Sequence, residues 1–561
     1  MIHSNLLRLC HDNKVDNLEV EMSGDFRMKS GNENQVNYTN SDDMPILRIG
    51  LIENRDLVEF KATGRFSVLN DQGLPILNEV ASPVKWRIKI TPKQPAKYVY
   101  NILLGKFMKR HQAHELEYAL IEKGIGTRIK TLGGKLYYGD RVVNENSQCW
   151  VVVDELPSEE EAQEFARARL SSFTYKIVKE KLHEPLAKLE LFDSDFEKLG
   201  ETENIIRIVP ESLDVLTYIY DSGGESDFQH AIGKHRTFRG PLEFRSTNEG
   251  KILIVCEMPL EKYIESVVAL EVKSEYPVEL IKAQSITVRS KTIASLGVNH
   301  SDDNFHLCSS SHCQVFNGIR ELPENFSKAV QQTMGVVLRS ERGVIDANYS
   351  LICGGHTEAL HNITQEENSD SYPAIFDGER NKQDEGNSDL TRFENLKQWV
   401  RDEPDVYCNL AKTHDANNHF QSLRSYFRWR ISYERHDLES IINSATGSDI
   451  GVLFDIVPVH YGVSGRILEL EILASNKNLV LKGEHHIRKV LAPGGLPSSC
   501  FSIEMQMDDD GFPFSFTFNG AGHGHGVGLC QTGGINMALQ GKDHQEILKH
   551  YFRNIELRKI Y

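Results

Sequence analysis

Residues 520–534 read Gly-Ala-Gly-His-Gly-His-Gly-Val-Gly-Leu-Cys-Gln-Thr-Gly-Gly, with glycine at every second position from Gly520 to Gly528. Neither a packed strand nor a helix suits this pattern, because glycine loses much backbone freedom on folding and adds no side chain to a core. The pattern predicts a loop whose backbone lies close to a ligand or to another stretch of main chain. His523 and His525 add two imidazoles, which can carry protons or bind a metal. A glycine-rich turn with two solvated histidines is the alternative.

The bulk composition is that of an ordinary soluble globular protein. The chain has 561 residues, of which 40% are apolar and 25% charged, and this length allows two to four domains. A net charge of −17 argues against a nucleic-acid partner. No run of eighteen apolar residues is present, so the sequence predicts no transmembrane segment. The first twenty residues lack the continuous apolar stretch of a secretory signal, so either the chain is cytosolic or its natural start lies upstream of Met1.

The pattern of strands and helices predicts an α+β fold in several parts. Residues 1–43 are polar and rich in Asn, Asp and Ser, which predicts disorder or a linker. Short β-like runs over 44–96 begin a β-rich core, which resumes over 203–561 and contains a pair of helices. Residues 97–186 predict a small inserted β-α-β-β-α domain. Residues 361–420 are strongly polar and charged, which predicts a surface insertion or lid within the core.

Residues 259–271, Pro-Leu-Glu-Lys-Tyr-Ile-Glu-Ser-Val-Val-Ala-Leu-Glu, predict a helix with one apolar stripe. That stripe consists of Leu260, Ile264, Val267 and Val268. Glu271 is the next position on it, and a carboxyl group partly removed from water has the raised pKa that a general acid near neutral pH needs. The alternative is a half-buried glutamate paired with a base such as Arg289. The following helix begins at Pro277 and carries Gln284 and Arg289, which can hydrogen-bond a sugar or orient a carboxylate.

Four soft metal ligands lie within eight residues: His306, Cys308, His312 and Cys313. Zinc takes four Cys or His ligands tetrahedrally, and a structural zinc site normally leaves no open position. Cys353 is a substitute ligand further along the chain. The spacing is not that of a zinc finger, so a disulfide between Cys308 and Cys313, or plain buried thiols, is the alternative. We predict a structural zinc site at the four clustered residues.

The run from Met258 to Glu271, followed by the helix with Gln284 and Arg289, resembles the signature of the SpoIID/LytB family, the sporulation stage II protein D and amidase-enhancer proteins. Cys530 and Thr532 depart from the residues that are more usual in the family at those positions. The other motifs follow in the family's order: His312–Gly318, Tyr349–Glu358, Ser464–Arg466, Leu496–Phe501 and Gly524–Gly534.

This resemblance implies a peptidoglycan lytic transglycosylase that cleaves peptide-stripped glycan strands and leaves 1,6-anhydro-muramyl ends. Glu271 matches the family's catalytic acid. Some members bind zinc through a Cys/His cluster, at the place of Cys308, His312 and Cys313 here. The predicted substrate-binding residues are Gln284, Arg289, His523, His525, Gly526 and Gln531.

The alternative function is a non-catalytic glycan-binding enhancer of a cell-wall amidase, in which Glu271 has no essential role. A zinc-dependent hydrolase of the stem peptide would need an open metal position, and four clustered ligands argue against one. Residues 97–186 resemble a SPOR-type domain, which binds denuded glycan, although a generic ferredoxin-like domain has the same element order. Because peptidoglycan lies outside the membrane, we expect export to the cell envelope or periplasm although no signal peptide is visible.

Overall fold

The computed structural model describes residues 19–20, 44–81, 84–138, 141–220, 235–364, 371–379, 389–412 and 420–561. The prediction of disorder or a linker over 1–43 therefore falls outside the described residues, apart from 19–20. The chain divides into two compact units. Unit 1 comprises Met1–Val267, Ile293–Glu321 and Ile560, and unit 2 comprises Val268–Thr292, Leu322–Lys559 and Tyr561.

Unit 1 consists mainly of strands. In chain order they are β1 (Glu19–Val20), β2 (Ile46–Ile52), β3 (Leu57–Ala62), β4 (Phe66–Leu69), β5 (Pro75–Val80), β6 (Trp86–Gln94), β7 (Lys97–Phe107), β8 (Arg128–Leu132), β9 (Lys135–Tyr138), β10 (Arg141–Glu145), β11 (Gln148–Leu156), β12 (Lys176–His183), β13 (Leu186–Phe192), β14 (Lys198–Glu203), β15 (Ile206–Pro210), β16 (Leu216–Tyr220), β17 (His235–Arg239), β18 (Leu242–Ser246), β19 (Ile252–Pro259) and β20 (Leu307–Cys308).

Two of the sheets in unit 1 form a sandwich. One has the strand order β14-β13-β6-β3-β16-β17 and the other β20-β2-β19-β18-β15-β4-β5. Along β3 every second residue is buried, as a strand with one core-facing side requires. Phe60 on that strand packs with its ring centroid 5.8 Å from Phe66 and 6.3 Å from Phe244, both on the facing sheet. These contacts place an aromatic core between the two sheets.

Residues 97–183 contain a separate antiparallel sheet with the strand order β12-β7-β11-β8. Two helices, α1 (Arg110–Glu122) and α2 (Glu159–Arg169), pack on it through a common apolar core. Ser158 caps α2 by accepting a hydrogen bond from the backbone N–H of Glu161. The element order is β-α-β-β-α-β, with the β9–β10 hairpin inserted, so the predicted β-α-β-β-α pattern lacked the closing strand β12 and this hairpin.

Two helices follow β19 along the chain: α3 (Leu260–Glu271) and α4 (Val278–Ser295). The predicted apolar stripe of α3 is fully buried, and its members are Leu260, Ile264, Val267 and Val268. The described residues of α4 are buried around almost its whole circumference, as expected of a helix inside a large core. Among the helices that the structure describes, none combines the length and apolar content of a bilayer-spanning segment.

Unit 2 combines small sheets with helices. Its strands are β21 (Val336–Ser340), β22 (Gly343–Val344), β23 (Tyr349–Ser350), β24 (Arg428–Glu434), β25 (Leu453–Tyr461), β26 (Ile467–Ala474), β27 (Leu479–Lys482), β28 (Phe501–Met507), β29 (Pro513–Ala521), β30 (Leu529–Cys530) and β31 (Glu556–Lys559). Its further helices are α5 (Glu324–Gln332), α6 (Phe393–Trp399), α7 (Gln421–Phe427), α8 (Arg435–Thr446), α9 (Glu484–Leu491), α10 (Gln531–Leu539) and α11 (His544–Tyr551). The structure confirms the α+β class, with many more strands than helices.

The predicted surface insertion over 361–420 differs in its described parts from the expectation. Leu396, Trp399, Cys408 and Leu410 are all buried there. Their apolar side chains are separated by charged residues, so the composition of the segment hides a local core. The described parts of this range therefore contribute buried apolar side chains to unit 2, while charged residues such as Arg392 and Arg401 are exposed.

Candidate functional site

Glu271 is the last residue of α3 and is half-buried. Burial raises the pKa of its carboxyl group, and a hydrogen bond from the Tyr349 hydroxyl lowers that pKa by a smaller amount. The net shift is upward, so the side chain retains a proton at a higher pH than an ordinary glutamate. Tyr349 begins β23, and no sequence pattern other than the family motif pointed to it.

His525 lies in the glycine loop and is held by two backbone groups. Its Nδ1 accepts a hydrogen bond from Val527 N at 3.0 Å, and the ring also hydrogen-bonds the backbone of Tyr349. Burial, followed by the positive charge of Arg466, lowers the pKa of His525 to about 3. The imidazole is therefore neutral at physiological pH, and because Nδ1 accepts, its proton is on Nε2. His525 thus links the glycine loop to the residue that hydrogen-bonds Glu271.

The glycine loop lies against other parts of its own unit. A Cβ atom added at Gly526, where φ is +76°, would overlap the guanidinium group of Arg466. A Cβ atom at Gly528, where φ is +73°, would overlap the carbonyl oxygen of Asn348. Glycine is therefore required at both positions by backbone conformation and by contacts within the chain. The predicted close approach of the loop backbone to another group is present. At these two glycines that group belongs to the protein and not to a ligand.

Arg466 is fully buried and ties the loop to the interior of unit 2. Its Nε and Nη2 each donate to the carbonyl oxygen of Gly524 at 3.2 Å, and Nη2 also donates to Cys353 O at 3.2 Å. Its Nη1 donates to Ser464 Oγ at 3.0 Å, and Ser464 Oγ donates to Glu358 Oε2 at 2.6 Å. Glu358 is also fully buried, so a hydrogen-bonded chain joins two buried charges through one hydroxyl.

The remaining predicted substrate-binding residues occupy different environments. Gln531 Nε2 donates to Gln284 Oε1 at 3.4 Å, and both side chains are buried. Arg289 is fully buried and its Nη1 donates to Val336 O at 3.0 Å. This hydrogen bond holds α4 against the first residue of β21. His523 is half-buried with its ring 4.6 Å from that of Tyr426. The structure thus groups His525 with Glu271 through Tyr349, and Gln284 with Gln531.

Replacing Gly528 by Ala should destabilise the protein by more than backbone strain alone. A non-glycine residue in left-handed conformation costs about 1–2 kcal/mol, and the overlap with the Asn348 carbonyl adds to that cost. Gly494 is the matched control, because its φ is +76° and nothing lies within 4 Å of an added Cβ atom. We expect Gly528→Ala to lower the free energy of unfolding in urea by at least about 1 kcal/mol more than Gly494→Ala. Equal losses of unfolding free energy in the two variants would contradict the close packing of the loop at Gly528.

A first group of metal-type ligands lies in unit 1. The ligand atoms of His300, Cys308, His312 and Cys313 lie within 4.8 Å of one another. His312 Nδ1 is 3.8 Å from Cys308 Sγ and 3.5 Å from Cys313 Sγ. Burial lowers the pKa of His300, but hydrogen bonds to Asp303 and Cys308 outweigh it and raise the pKa to about 9.

This group fits a zinc ion. His300 Nδ1 lies 2.9 Å from Asp303 Oδ2, so the contact of this ring with Cys308 falls to its buried Nε2. A carboxylate on one ring nitrogen with the other nitrogen directed at a metal is the usual arrangement of a zinc-bound histidine. Two thiols and two imidazoles also form a set that zinc prefers.

The predicted ligand set needs two corrections. His306 is outside the group, because its Nδ1 accepts a hydrogen bond from Arg48 N at 3.2 Å, and burial lowers the pKa of that ring to about 3. His300 lies in the group instead, and the sequence signal for it is the nearby Asp303. Cys353 also is not in this group, because it lies with Asp377, Cys408 and Cys530 in unit 2.

Two family profiles match parts of the chain. Residues 248–339 match the Stage II sporulation protein family, SpoIID, and this range includes Glu271 and the first metal-ligand group. Residues 374–528 match DUF8618, a domain of unknown function, and this range includes Arg466 and His525.

Relatives cover only portions of the chain. An uncharacterized protein of Brachyspira hyodysenteriae is 25% identical over 320 residues, which is 57% of this chain and 72% of that protein. The amidase enhancer of Bacillus subtilis is 31% identical over 100 residues, which is 18% of this chain and 13% of the enhancer. A solved structure of a protein from Burkholderia pseudomallei aligns with a TM-score of 0.15 and 12% identity over 25% of this chain and 26% of that one, a likeness too low to inform the fold.

The SpoIID match lies on the helix pair whose sequence carries the resemblance, and the amidase enhancer is a second, distant link to the same group. These two findings show that the segment around α3 and α4 is similar to the SpoIID/LytB family.

Proposed function

We propose that this protein acts on the bacterial cell wall as a lytic transglycosylase that cleaves peptide-stripped glycan strands. The observation that carries the proposal is Glu271, a half-buried carboxyl group with a raised pKa at the end of a helix within the SpoIID match. A protonated carboxyl group is what cleavage of a glycosidic bond needs at the leaving oxygen. The proposal requires the protein to act outside the cell membrane, where peptidoglycan lies.

The reaction needs one carboxyl group used twice. Glu271 donates its proton to the glycosidic oxygen as the bond from the anomeric carbon to that oxygen breaks. The carboxylate then takes the proton of the sugar's own 6-hydroxyl, whose oxygen bonds to the anomeric carbon and closes the 1,6-anhydro ring. No water is consumed, and Glu271 ends in its starting protonation state. A hydrolase would need a second carboxylate to activate water or to attack the sugar.

Tyr349 and His525 act in this proposal as positioning residues. The Tyr349 hydroxyl donates to Glu271, which fixes the carboxyl group and favours its ionised form after the first proton transfer. His525 is neutral and bound to two backbone groups, which supports a role in holding Tyr349 in place. Gln284 and Gln531 remain the candidates for hydrogen bonds to the sugar, because amides suit hydroxyl groups and Gln284 Nε2 is buried with no partner among the described residues.

Zinc, if bound by His300, Cys308, His312 and Cys313, would be structural. Four protein ligands leave no position for substrate or water, so no chemical step runs through the ion. Its contribution would be to fix the chain that follows α4.

A non-catalytic role as an enhancer of a cell-wall amidase is the second candidate. The observation that favours it is the likeness to the amidase enhancer of Bacillus subtilis, which covers 18% of this chain. In that role Glu271 would be dispensable, and the protein would bind glycan or the amidase without cleaving the glycan.

Digestion of peptide-stripped glycan strands, followed by mass spectrometry of the products, separates the two roles. We expect products with 1,6-anhydro ends, which are lighter by one water than the products of hydrolysis. The same strands with stem peptides retained are the control for substrate choice. Binding without cleavage, together with faster release of stem peptides from the peptide-bearing strands by an added amidase, would overturn the transglycosylase and support the enhancer.

A further inference from the structure

A second group of metal-type ligands lies in unit 2 and plays no part in the proposed chemistry. Its members are Cys353, Asp377, Cys408 and Cys530, whose ligand atoms lie within 4.8 Å of one another. All four side chains are buried, Asp377 and Cys530 completely. A carboxylate without water is costly in an interior unless it is paired or binds a metal. His550 Nε2 lies 3.6 Å from Asp377 Oδ1, which leaves Oδ2 to the cysteines. The group therefore needs an explanation of its own.

The distances match those of a tetrahedral zinc site. Cys353 Sγ is 3.7 Å from Cys408 Sγ and 3.3 Å from Asp377 Oδ2. Zinc–sulfur bonds of about 2.3 Å at tetrahedral angles place two sulfurs about 3.8 Å apart. A disulfide would bring the sulfurs to about 2.05 Å. The two cysteines are thus separated as ligands of one ion would be.

The surrounding groups orient the ligands inward. Asp377 Oδ1 accepts from Tyr551 OH at 2.7 Å, while Oδ2 faces the cysteines and accepts from Cys408 N at 3.1 Å. The sulfur of Cys530 accepts backbone hydrogen bonds from Cys353 N at 3.3 Å and Gly533 N at 3.4 Å. Cys530 is the N-cap of α10, and a helix N-terminus favours a thiolate. Hydrogen bonds of this kind around ligands are typical of metal sites.

We propose that Cys353, Asp377, Cys408 and Cys530 form a second structural zinc site. Three thiolates and one carboxylate complete four-coordination, and each cysteine loses its thiol proton to solvent when the ion binds. All four positions belong to the protein, so the site has no opening for a substrate.

The site would join separate parts of unit 2. Cys353 and Cys530 follow or end the paired strands β23 and β30, in which Ser350 lies opposite Cys530. Asp377 and Cys408 belong to the range that matches DUF8618. An ion between them would fix that domain to the strand pair that carries Tyr349 and precedes Gln531. This inference does not depend on the proposed enzymatic activity.

Metal content tests the site directly. The chain of 561 residues is purified without added metal chelators, and its zinc is counted by inductively coupled plasma mass spectrometry. We expect Cys408→Ser and Asp377→Asn each to lose one equivalent of zinc relative to the wild type. Cys500→Ala is the matched control, because Cys500 is an equally buried cysteine of unit 2 outside the group, and it should lose none.

Substitution of cobalt(II) for zinc identifies the ligands by their absorption spectrum. This measurement does not depend on whether the Cys408 variant folds. In Cys308→Ser, which weakens the first group, we expect cobalt(II) to show the thiolate charge-transfer absorption of a three-cysteine site. An equal zinc content in the wild type and Asp377→Asn would overturn the proposal. So would an intact mass lighter by two hydrogens under non-reducing conditions, with the loss mapped to a disulfide between Cys353 and Cys408. All of these readouts are independent of glycan cleavage, so they fail or succeed separately from the proposed function.

Discussion

Replacing Glu271 by Gln should lower the rate of anhydro-end formation by about 10²–10⁴-fold, the range that a general acid or base contributes. Glutamine keeps the size of the side chain and can still accept the hydrogen bond from Tyr349, but it has no proton to give to the glycosidic oxygen. The protein should still bind the glycan, because the exchange leaves the candidate sugar-binding residues Gln284 and Gln531 in place. The rate is measured by chromatography of anhydro-muramyl products from peptide-stripped strands.

Glu265→Gln is the matched control for this variant. Glu265 lies on the same helix and, like Glu271, is half-buried, but its carboxylate is paired with Lys262 Nζ at 3.0 Å. We expect it to retain the wild-type rate. Full activity in Glu271→Gln, or an equal loss in both variants, would contradict the role of Glu271.

The same substitution should change how stability depends on pH. Because the pKa of Glu271 is raised in the folded protein, the unfolded chain loses this proton at a lower pH than the folded protein does. Between the ordinary glutamate pKa of 4.5 and the raised value, the folded state binds more protons, so wild-type stability falls as pH rises. The Glu271→Gln variant has no such titration. The difference between its melting temperature and that of the wild type should therefore shift in favour of the variant as pH rises across that window. Cleavage by the wild type should also weaken as pH rises through the raised pKa, because the acid loses its proton.

The local sequence pattern was enough to predict that Glu271 lies on a helix, next to the buried apolar stripe. Its position follows from helical periodicity over a few residues, and the stripe that includes Leu260 and Val267 is buried as predicted. The glycine loop was also recognisable as a place of close backbone approach. Sequence could not tell whether the partner was a ligand, because Arg466 and Asn348 are distant from Gly526 and Gly528 along the chain.

The candidate metal ligands show where reasoning from local sequence ends. His300 was missed because the sequence does not show which of the two histidines, His300 or His306, lies near the cysteines. In the structure the chain returns beside β2, and there His306 accepts a hydrogen bond from the backbone of Arg48. Asp377 and Cys408 were missed because they lie far from Cys530 along the chain and approach it only in the three-dimensional structure. The spacing of these residues along the sequence does not show that their side chains meet. The pairing of strands such as β23 and β30 brings them together.

Replacing Arg466 by Met should reduce the free energy of unfolding by about 3–5 kcal/mol, the usual cost of removing one partner from a buried charge pair. Methionine fills part of the volume but leaves the carbonyl oxygens of Gly524 and Cys353 without these donors, and Glu358 buried without the charge linked to it through Ser464. The measurement is urea unfolding followed by circular dichroism. Arg430→Met is the control, since Arg430 is exposed in the same unit and its loss should cost less than about 0.5 kcal/mol.

The double variant tests whether Glu358 and Arg466 act as one unit. Glu358→Gln alone should also destabilise, because it leaves the buried guanidinium group without the carboxylate at the other side of the Ser464 hydroxyl. If the two charges are coupled, the loss in the double variant will be smaller than the sum of the single losses, by about 0.5–3 kcal/mol. Additive losses would mean that Arg466 stabilises the loop only through its bonds to Gly524 and Cys353. Coupling would instead make the glycine loop, and with it His525 and Tyr349, dependent on a buried ionic network that lies away from Glu271 along the chain.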